Sequence, residues 1–490
     1  MTQFIGIDFG STNTSVALVR VNEQGREITP LYDEEDSPFT SIVAIPKEGG
    51  DILFGRHVRK NRLNYANTHD VYTSMKPYLG KKMEDGSPFS IETNSSRFYP
   101  KAIVTAFFEH IKTHVMKRYN IEIKSAALTF PADFDSDARR ELREAAINAG
   151  ISVDVFINES TCAYFASYDV CKTFSKVMVL DWGGGTFDVS ILDVQRPIVR
   201  EIAVWGEHIG GDDIDLQFAE RVHSLIYDIS GNANGRSFDK MTHAERDQLL
   251  SKSELAKIQI SYDDEDYPLL VIEYGEYGTM TVSVSPDMLN DIVNSIVKTK
   301  VLSAIDKALG IAGGLDPGLI DCVLIVGGSS NLDVYEKHIT KHFSNAEIIL
   351  PDKSQWSTAI GAALLQMAGG RFRLSDSVGV LLSDDTVFTV LPKGAVVNEK
   401  TLPVKFALIE DSTEAHFIFT NETGKKVYGK YNVPTKGFFK EKLELMAEID
   451  ENMISRVHVR VESFGSGQQG SSTLEIGNLN FHYELGSLDE

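Results

Sequence analysis

The stretch Ile5-Gly6-Ile7-Asp8-Phe9-Gly10-Ser11-Thr12-Asn13-Thr14 has a second copy in Val179-Leu180-Asp181-Trp182-Gly183-Gly184-Gly185-Thr186-Phe187-Asp188. Each copy is an apolar strand that ends at an aspartate, followed by a glycine turn with a small hydroxyl residue and a second strand. Beyond the turns, Val16 and Leu18 share one face of the first hairpin's second strand, and Val189 and Ile191 share one face of the other's. This period of two indicates half-buried strands. The sequence therefore predicts the same tight β-hairpin twice.

The residue types of these turns suit a phosphate group and a metal ion. Glycine has no Cβ and tolerates positive φ, so its backbone N–H group can approach an anion closely. An aspartate at the end of the strand can hold a hydrated Mg²⁺ beside substrate phosphates. One such hairpin alone is more often structural, whereas two that face each other would hold a polyphosphate and its metal from both sides.

A third glycine turn follows the fully apolar strand 322–326, and Asn331 is predicted to cap the helix after it. Taken alone, this turn is typical of an ordinary strand-to-helix connection in a parallel sheet. Taken with the two hairpins, it predicts the nucleoside end of an ATP site.

The three motifs resemble the nucleotide-contacting motifs of the actin-like ATPases, and in detail those of the seventy-kilodalton heat-shock chaperone family. The other segments similar to that family are residues 75–80, 130–134 with Arg139, 157–163, 208–215 and 253–257. The resemblance implies an α/β actin-like (ribonuclease H-like) two-lobed ATPase domain over residues 1–372. A linker over 373–382 and an all-β, substrate-binding sandwich over 383–490 would follow.

The resemblance also implies roles for single residues. Lys76 and Glu159 would orient the attacking water, Asp8 and Asp181 would hold Mg²⁺ through its waters, and Pro131 with Arg139 would relay between the site and the substrate domain. The implied phosphate and nucleoside contacts are Gly10, Ser11, Thr12, Asn13, Gly183, Gly184, Gly185, Thr186, Gly210, Gly211, Glu254, Lys257, Ser261, Gly327, Gly328, Ser329, Ser330 and Asn331.

The function implied is that of a Mg²⁺-dependent ATPase and molecular chaperone. It would hydrolyse ATP to ADP and phosphate to control the binding of extended or unfolded polypeptide. A J-domain co-chaperone and a nucleotide exchange factor would be its partners. Two other functions remain open: an actin-like sugar kinase, which needs a second polar substrate pocket, and a filament-forming actin-like ATPase.

The chain departs from the family pattern at several positions. Ile258 and Asn331 stand where relatives usually place two arginines around adenine, which predicts weaker nucleotide binding. Ser160 replaces the usual proline after the glutamate, and residues 371–376 are a poor copy of the leucine-rich acidic linker. Residues 380–382 could serve as that linker or as the first strand of the β-domain.

Periodicity predicts α/β structure first and β-structure after about residue 370. Pro100 is predicted near the start of a helix over 99–119, and further helices are expected over 137–149 and from 286 through 309. The strand 153–157 would bring Glu159 to its carboxyl end. The predicted sandwich strands are 387–391, 404–409, 416–420, 426–433, 443–449 and 457–461. The sequence runs to Glu490 directly after them, so no helical lid is expected.

Composition excludes several classes of protein. The chain has 490 residues, a net charge of −22 and no sustained Lys/Arg run, which argues against a general nucleic-acid partner. Its three cysteines form no paired framework, which indicates a reducing compartment. Because the first strand begins at Phe4 and no apolar run could span a bilayer, a cytoplasmic protein without a membrane partner is predicted.

Three other features of the sequence could form sites. Cys162 could act as a nucleophile, although no histidine base accompanies it. His338 and His342 share one helical face, as zinc ligands do, but a solvated face is favoured because no third ligand is evident. The acidic run 263–266 lacks the oxygen spacing of a calcium loop and is predicted to be an exposed turn.

Overall fold

A computed structural model describes residues 2–23, 25–65, 67–230, 237–262, 268–273, 278–369, 372–464 and 470–484. These residues form three parts: a first lobe around a six-stranded sheet, a second lobe around a seven-stranded sheet, and a β-sandwich of two four-stranded sheets. The acidic run 263–266 lies outside the described residues. No helix in the described part of the chain is long and apolar enough to cross a membrane.

The first lobe contains a sheet in the order β11-β10-β1-β2-β3, with β4 paired to β2. Its elements are β1 Thr2–Phe9, β2 Asn13–Asn22, β3 Gly25–Leu31, β4 Phe39–Thr40, β5 Val43–Pro46, β6 Leu53–Phe54, α1 Arg56–Tyr65, β7 His69–Tyr72, β8 Ile91–Glu92, β9 Arg97–Phe98, α2 Pro100–Tyr119, β10 Ser125–Phe130, α3 Ser136–Asn148, β11 Ser152–Asn158, α4 Glu159–Ala166 and α5 Tyr168–Cys171. The predicted helices over 99–119 and 137–149 are confirmed within one residue.

The second lobe repeats this plan. Its elements are β12 Lys176–Trp182, β13 Phe187–Gln195, β14 Ile198–Glu207, α6 Gly211–Ser230, α7 His243–Tyr262, β15 Leu269–Glu273, β16 Thr279–Ser283, α8 Pro286–Ile296, α9 Leu302–Ile311, β17 Cys322–Val326, α10 Asp333–His342, β18 Glu347–Ile349 and α11 Ser357–Met367. A single π-turn, Val297–Val301, joins α8 to α9, so the predicted helix from residue 286 exists and contains one irregular turn.

Both glycine motifs form antiparallel hairpins with the same register at the turn. Phe9 pairs with Thr14 in the first hairpin, and Trp182 pairs with Phe187 in the second. The expectation of half-buried strands is wrong, because β2 and β13 are buried on both faces for most of their length. The helix α11 follows the second-lobe strands in sequence but packs on β1 and β2 of the first lobe. On that lobe, the ring of Phe108 in α2 also packs 5.6 Å from the ring of Phe9.

The remaining strands follow α11 in sequence, and eight of those described form the sandwich. The strands after α11 are β19 Phe372–Leu374, β20 Val378–Leu381, β21 Val387–Leu391, β22 Val404–Ala407, β23 Glu414–Thr420, β24 Val427–Pro434, β25 Lys442–Ile449, β26 Ser455–Val461, β27 Ser471–Ile476 and β28 Phe481–Glu484. The two sandwich sheets run in the orders β21-β20-β23-β24 and β22-β25-β26-β27. All six strands predicted in this region are present.

The first and last strands in this list belong to another sheet. β28 pairs with β14 on one side and with β19 on the other, which completes the second-lobe order β18-β17-β12-β13-β14-β28-β19. The predicted boundary of the sandwich at 383–490 is therefore corrected, since residues 481–484 leave it. No sequence pattern indicates this pairing, because Phe481 lies 280 residues from the strand it joins.

The predicted linker over 373–382 is not an unpaired segment either. Its beginning lies in β19, and Val378–Leu381 forms the buried strand β20. Of the two alternatives for residues 380–382, a linker or a strand of the β-domain, the structure therefore has the strand. Leu374 and Val380 pack in the same hydrophobic core as Ile7 of the first lobe. The second lobe has a core of its own. The sandwich is thus packed onto the first lobe, with β-structure continuing across the junction.

Candidate functional site

A cavity of about 400 Å³ is lined by the turns of both hairpins and by residues from both lobes. Residues that the sequence predicted to contact phosphate, nucleoside, metal or water meet there. They are Asp8, Gly10, Ser11, Thr12, Asn13, Lys76, Glu159, Asp181, Gly183, Gly184, Gly185, Thr186, Gly211, Glu254, Lys257, Ser261, Gly327, Gly328, Ser329 and Asn331.

The two glycine turns pack against each other beside this cavity. A Cβ at Gly184 would lie 1.8 Å from Oγ1 of Thr12, and a Cβ at Gly185 would lie 2.9 Å from Oγ of Ser11. Only glycine allows so close an approach. Thr12 also donates to Oδ1 of Asp212 at 3.2 Å. Backbone N–H groups of both turns are thereby brought to one space, an arrangement that suits a polyphosphate.

Two aspartates, one from each hairpin, line the cavity, and each accepts a hydrogen bond from a threonine. Asp8 accepts from the Thr129 hydroxyl at 3.0 Å, and Asp181 accepts from the Thr358 hydroxyl at 3.1 Å. Burial raises the pKa of Asp8, against the opposing effects of Lys76 and Thr129. Burial, followed by the charge of Asp8, raises the pKa of Asp181 to about 7. The pair thus concentrates negative charge that a bound cation would neutralise.

Lys76 and Glu159 form a buried ion pair between these aspartates. The distance from Nζ of Lys76 to Oε1 of Glu159 is 2.7 Å, and the side chains are 4% and 8% exposed. Burial alone would lower the pKa of Lys76, but Glu159 and then Asp8 raise it above its ordinary value. Burial raises the pKa of Glu159 well above its ordinary value, although Lys76 opposes this. The pair presents an ammonium and a carboxyl group to the same cavity.

The donor set fits a hydrated Mg²⁺ ion better than a metal held only by protein. Asp8 and Asp181 supply hard oxygen ligands at the cavity wall, and burial raises the pKa of both carboxyl groups. Within the described ranges, no group of three or more His, Cys, Asp or Glu side chains could hold a metal ion. Mg²⁺ commonly binds through one or two carboxylates, waters and substrate phosphates.

The opposite wall comes mainly from α7. Lys257 pairs with Asp215 at 2.8 Å and donates to the backbone carbonyl of Gly211 at 3.3 Å. Burial raises the pKa of Asp215 to about 7, and Lys257 lowers it. Glu254 forms an ion pair with Arg59 of α1, so this contact joins the two lobes across the cavity. Ile258 lines the same wall and offers an apolar surface at one of the two positions where the family pattern led us to expect an arginine.

Three predicted site residues have other positions or contacts. Gly210 does not line the cavity: a Cβ there would lie 2.1 Å from the backbone oxygen of Gly184, so Gly210 allows two loops to pack. Ser330 is also off the cavity wall, because its hydroxyl donates to the carbonyl of Gly327 at 2.7 Å. Asn331 lines the cavity within a 3₁₀ turn, and it is not the helix cap, since α10 begins at Asp333 after Leu332.

Several cavity residues were missed by sequence reasoning. They are Ser15, Ser37, Pro38, Arg56, Arg59, Asp212, Asp215, Leu332, Ser354, Gln355 and Thr358. Most come from loops or helix ends far from the motifs in sequence. Asp212 and Asp215 lie in the recognised segment 208–215, so they are the two for which a sequence signal existed.

Pro131 and Arg139 lie away from the cavity, between it and the sandwich. The backbone N–H of Ala132, next to Pro131, donates to Oδ1 of Asp188 at 2.8 Å. Arg139 donates from Nη1 to the carbonyl of Met453 in the sandwich at 3.3 Å. Its guanidinium also lies 4.3 Å from the ring centroid of Phe130. Burial lowers the pKa of Arg139 to about 10.

The alternative sites gain no support. Cys162 is buried and burial raises the pKa of its thiol well above the ordinary value, which disfavours a nucleophilic thiolate. His338 lies 2.6 Å from Oδ1 of Asn294 through its Nε2, and His342 lies 3.9 Å from Asp306. The Nε2 atom of His338 therefore has a partner in α8, whereas that of His342 lies beyond hydrogen-bond distance of Asp306 in α9.

Comparison with known proteins agrees with this geometry. The family model described as "Hsp70 protein" matches residues 4–390. The proteins named "Chaperone protein DnaK" from Thermotoga petrophila, Thermotoga maritima and Thermotoga neapolitana are each 27% identical over 509 aligned positions, which cover 95% of this chain and 79% of each relative. Paired glycine hairpins around one cavity and a match over most of the length lead to one conclusion: this chain belongs to the Hsp70 family.

Proposed function

We propose that this protein is an ATP-dependent molecular chaperone, in which hydrolysis of ATP to ADP and phosphate controls the binding of extended or unfolded polypeptide. The observation that carries the proposal is the buried pair of Lys76 and Glu159 beside Asp8 and Asp181, between two glycine turns. Membership of the Hsp70 family supports the same activity, as does the printed name of its DnaK relatives.

The reaction asks the protein for positioning and charge stabilisation, with little covalent chemistry. The hydroxyls of Ser11, Thr12 and Thr186 and the backbone of both turns would bind phosphate oxygens. The Lys76 ammonium would lie against the reacting phosphate, and the Glu159 carboxyl would orient the attacking water. The raised pKa of Glu159 suits a group that accepts a proton from that water.

Asp8 and Asp181 would hold the waters of a Mg²⁺ ion. When bound, this ion supplies positive charge that offsets the charge of the phosphate oxygens. Glu254, Lys257 and Ser261, with Gly327, Gly328, Ser329 and Asn331, would line the nucleoside end. Ile258 would replace cation stacking on the base with an apolar contact.

The polypeptide would bind to the sandwich, and Arg139 would connect the two functions. Its contact with the carbonyl of Met453 touches the sandwich directly, and the segment that precedes it reaches Asp188 in the second hairpin. We expect a J-domain protein and a nucleotide exchange factor as partners, and a cytoplasmic location, which cell fractionation would check.

Phosphate release tests the proposal. The purified protein with Mg-ATP should release phosphate slowly, and an unfolded polypeptide together with a J-domain protein should accelerate it. Transfer of phosphate to a sugar in place of water would indicate a sugar kinase. ATP-dependent sedimentation without stimulation by polypeptide would indicate a filament-forming ATPase. Either result would overturn the proposal.

A further inference from the structure

The strand β28 reaches back from the sandwich to the edge of the second-lobe sheet. Its pairing with β14 aligns Val199 with Tyr483, and the residue just before it, Asn480, donates from its side chain to the carbonyl of Ile202 at 3.1 Å. The ring of Tyr483 packs 5.5 Å from that of Phe165 in α4, at an interplanar angle of 72°. This strand therefore touches the helix whose first residue is Glu159.

At this contact lies a carboxyl group that the proposed chemistry does not use. Glu201 is 2% exposed, and it accepts three hydrogen bonds. Its Oε2 accepts from the backbone N–H of Phe481 at 2.8 Å, and its Oε1 accepts from the hydroxyls of Tyr483 at 2.9 Å and Thr161 at 2.6 Å. Two of the three donors belong to β28, and the third belongs to α4.

A buried network extends from Glu201 toward the start of α4. Thr161 also lies 3.1 Å from the hydroxyl of Ser190 in β13, and that hydroxyl lies 2.7 Å from the hydroxyl of Ser160. Ser160 donates to the side-chain oxygen of Asn158 at 2.7 Å. Because Thr161 donates to Glu201 and Ser160 donates to Asn158, the single proton of the Ser190 hydroxyl can go to only one of the two hydroxyls. The two residues that flank Glu159 in sequence thus lie in a buried hydroxyl cluster that adjoins Glu201. Ser160 takes part only because the chain has serine at a position where the family usually has proline.

We infer that Glu201 is a positioning residue for Glu159, and that β28 holds it in place. The route runs from Phe481 and Tyr483 to Glu201, through Thr161, to the first turn of α4. If β28 leaves the sheet edge, Glu201 loses two of its three donors while it remains buried. A buried carboxyl group without hydrogen bonds is costly, so it would move or take up a proton. The first turn of α4 would lose its fixed position with it.

This arrangement also links the site to the sandwich. The other edge of β28 pairs with β19, and the N–H of Ser375 donates to the carbonyl of Asn480 at 2.9 Å. A displacement of the segment between the second lobe and the sandwich would therefore act on β28 first. The inference rests on the proposed ATPase activity, and it adds to that site a residue outside the cavity lining.

The variant Tyr483→Phe tests it, since this change removes one hydroxyl and keeps the ring. We expect a fall of about 10-fold in kcat, which is smaller than the ~10²-fold that a 1 Å misplacement of a catalytic group can cause, because only one of the three donors to Glu201 is removed. The KM for ATP should stay within about twofold, since no nucleotide contact is changed. The matched control is Tyr431→Phe, which removes a hydroxyl that donates to the carbonyl of Glu475 at 2.5 Å in the sandwich. It should keep the parental kcat.

A second variant separates positioning from general destabilisation. Thr161→Val cuts the link between Glu201 and α4 and leaves β28 intact, so it should lower kcat by a similar factor. Because both changes break one route, the double variant should be little slower than either single variant. A parental kcat in Tyr483→Phe, an equal fall in Tyr431→Phe, or multiplied losses in the double variant would each overturn the inference.

Hydrogen exchange provides a readout that does not need turnover. The amides of residues 159–162 should exchange faster in Tyr483→Phe than in Tyr431→Phe, and unchanged exchange would contradict the positioning role. If the parental protein released no phosphate, the proposed function would fail, yet this exchange measurement would still decide whether β28 holds α4.

Discussion

The variant Lys76→Met removes the cation of the buried pair while keeping much of the side-chain volume. Lys76 and Glu159 are 2.7 Å apart and almost fully buried, so the change leaves Glu159 facing Asp8 without an opposite charge. Breaking a buried pair in this way typically costs about 3–5 kcal/mol of unfolding free energy. Proton uptake by Glu159 limits the loss, which should lie near 3 kcal/mol at pH 7 by the same estimate. The loss of unfolding free energy should grow by up to about 1.4 kcal/mol for each pH unit above pH 7.

Hydrolysis should respond differently from stability. We expect Lys76→Met to bind Mg-ATP and to release phosphate at least about 10²-fold more slowly, as for a lost transition-state contact. The double variant Lys76→Met/Glu159→Gln replaces the buried charge with a neutral amide, so it should recover most of the stability and none of the activity. Chemical denaturation, calorimetric ATP binding and single-turnover phosphate release measure the three quantities.

Lys82→Met is the control for this experiment, because Lys82 forms an exposed ion pair with Asp137 at 2.9 Å. It should change neither stability nor hydrolysis appreciably. Two results would refute the reasoning: hydrolysis at the parental rate in Lys76→Met, or a double variant no more stable than the single one. The first would remove Lys76 from the catalytic machinery, and the second would show that the pair carries no desolvated charge.

Three further predictions concern stability, packing and base recognition. Burial raises the pKa of Asp188 from 3.8 to about 8, so the folded state keeps a proton that the unfolded state loses. The free energy of unfolding should therefore fall as pH rises through this window. Thermal unfolding should show that Asp188→Asn stabilises the protein at pH 8 more than at pH 5. Gly210→Ala would place a methyl group 2.1 Å from a backbone oxygen. Such overpacking typically destabilises the fold by about 1–3 kcal/mol, so ATP binding measured by calorimetry should weaken. The control Gly310→Ala has open space around the new methyl group and should bind ATP as the parental protein does. Ile258→Arg combined with Asn331→Arg should tighten ATP by about 0.5–2 kcal/mol, and unchanged affinity would show that these side chains do not face the base.

Local patterns allowed the glycine hairpins to be predicted. Each combines an apolar strand, an aspartate and a turn within ten residues, and the structure pairs Asp8 with Ser15 and Asp181 with Asp188 as hairpins of this kind require. The resemblance then brought Lys76 and Glu159, 83 residues apart, into one prediction. The structure shows these side chains in contact. Their catalytic roles remain predictions until they are measured.

Contacts between distant segments could not be predicted in this way. Thr129 and Thr358 hold the two aspartates, but nothing in their own neighbourhood indicates it, because they arrive from other strands and helices through the topology. The same holds for β28, whose four residues alternate like any short strand and carry no sign of their partner. The expected cap at Asn331 failed for a local reason, since the 3₁₀ turn extends the connection and delays the helix.

The late position of β28 in the chain has a consequence for synthesis. During synthesis, Glu201 is added to the chain before Phe481, and 280 positions separate the two residues. The edge of β14 therefore stays unpaired while the residues between them are made. During that interval the carboxyl group has no strand to supply its donors, and the exposed edge can pair with other chains. The nascent second lobe would therefore itself need protection from aggregation until its last strand arrives.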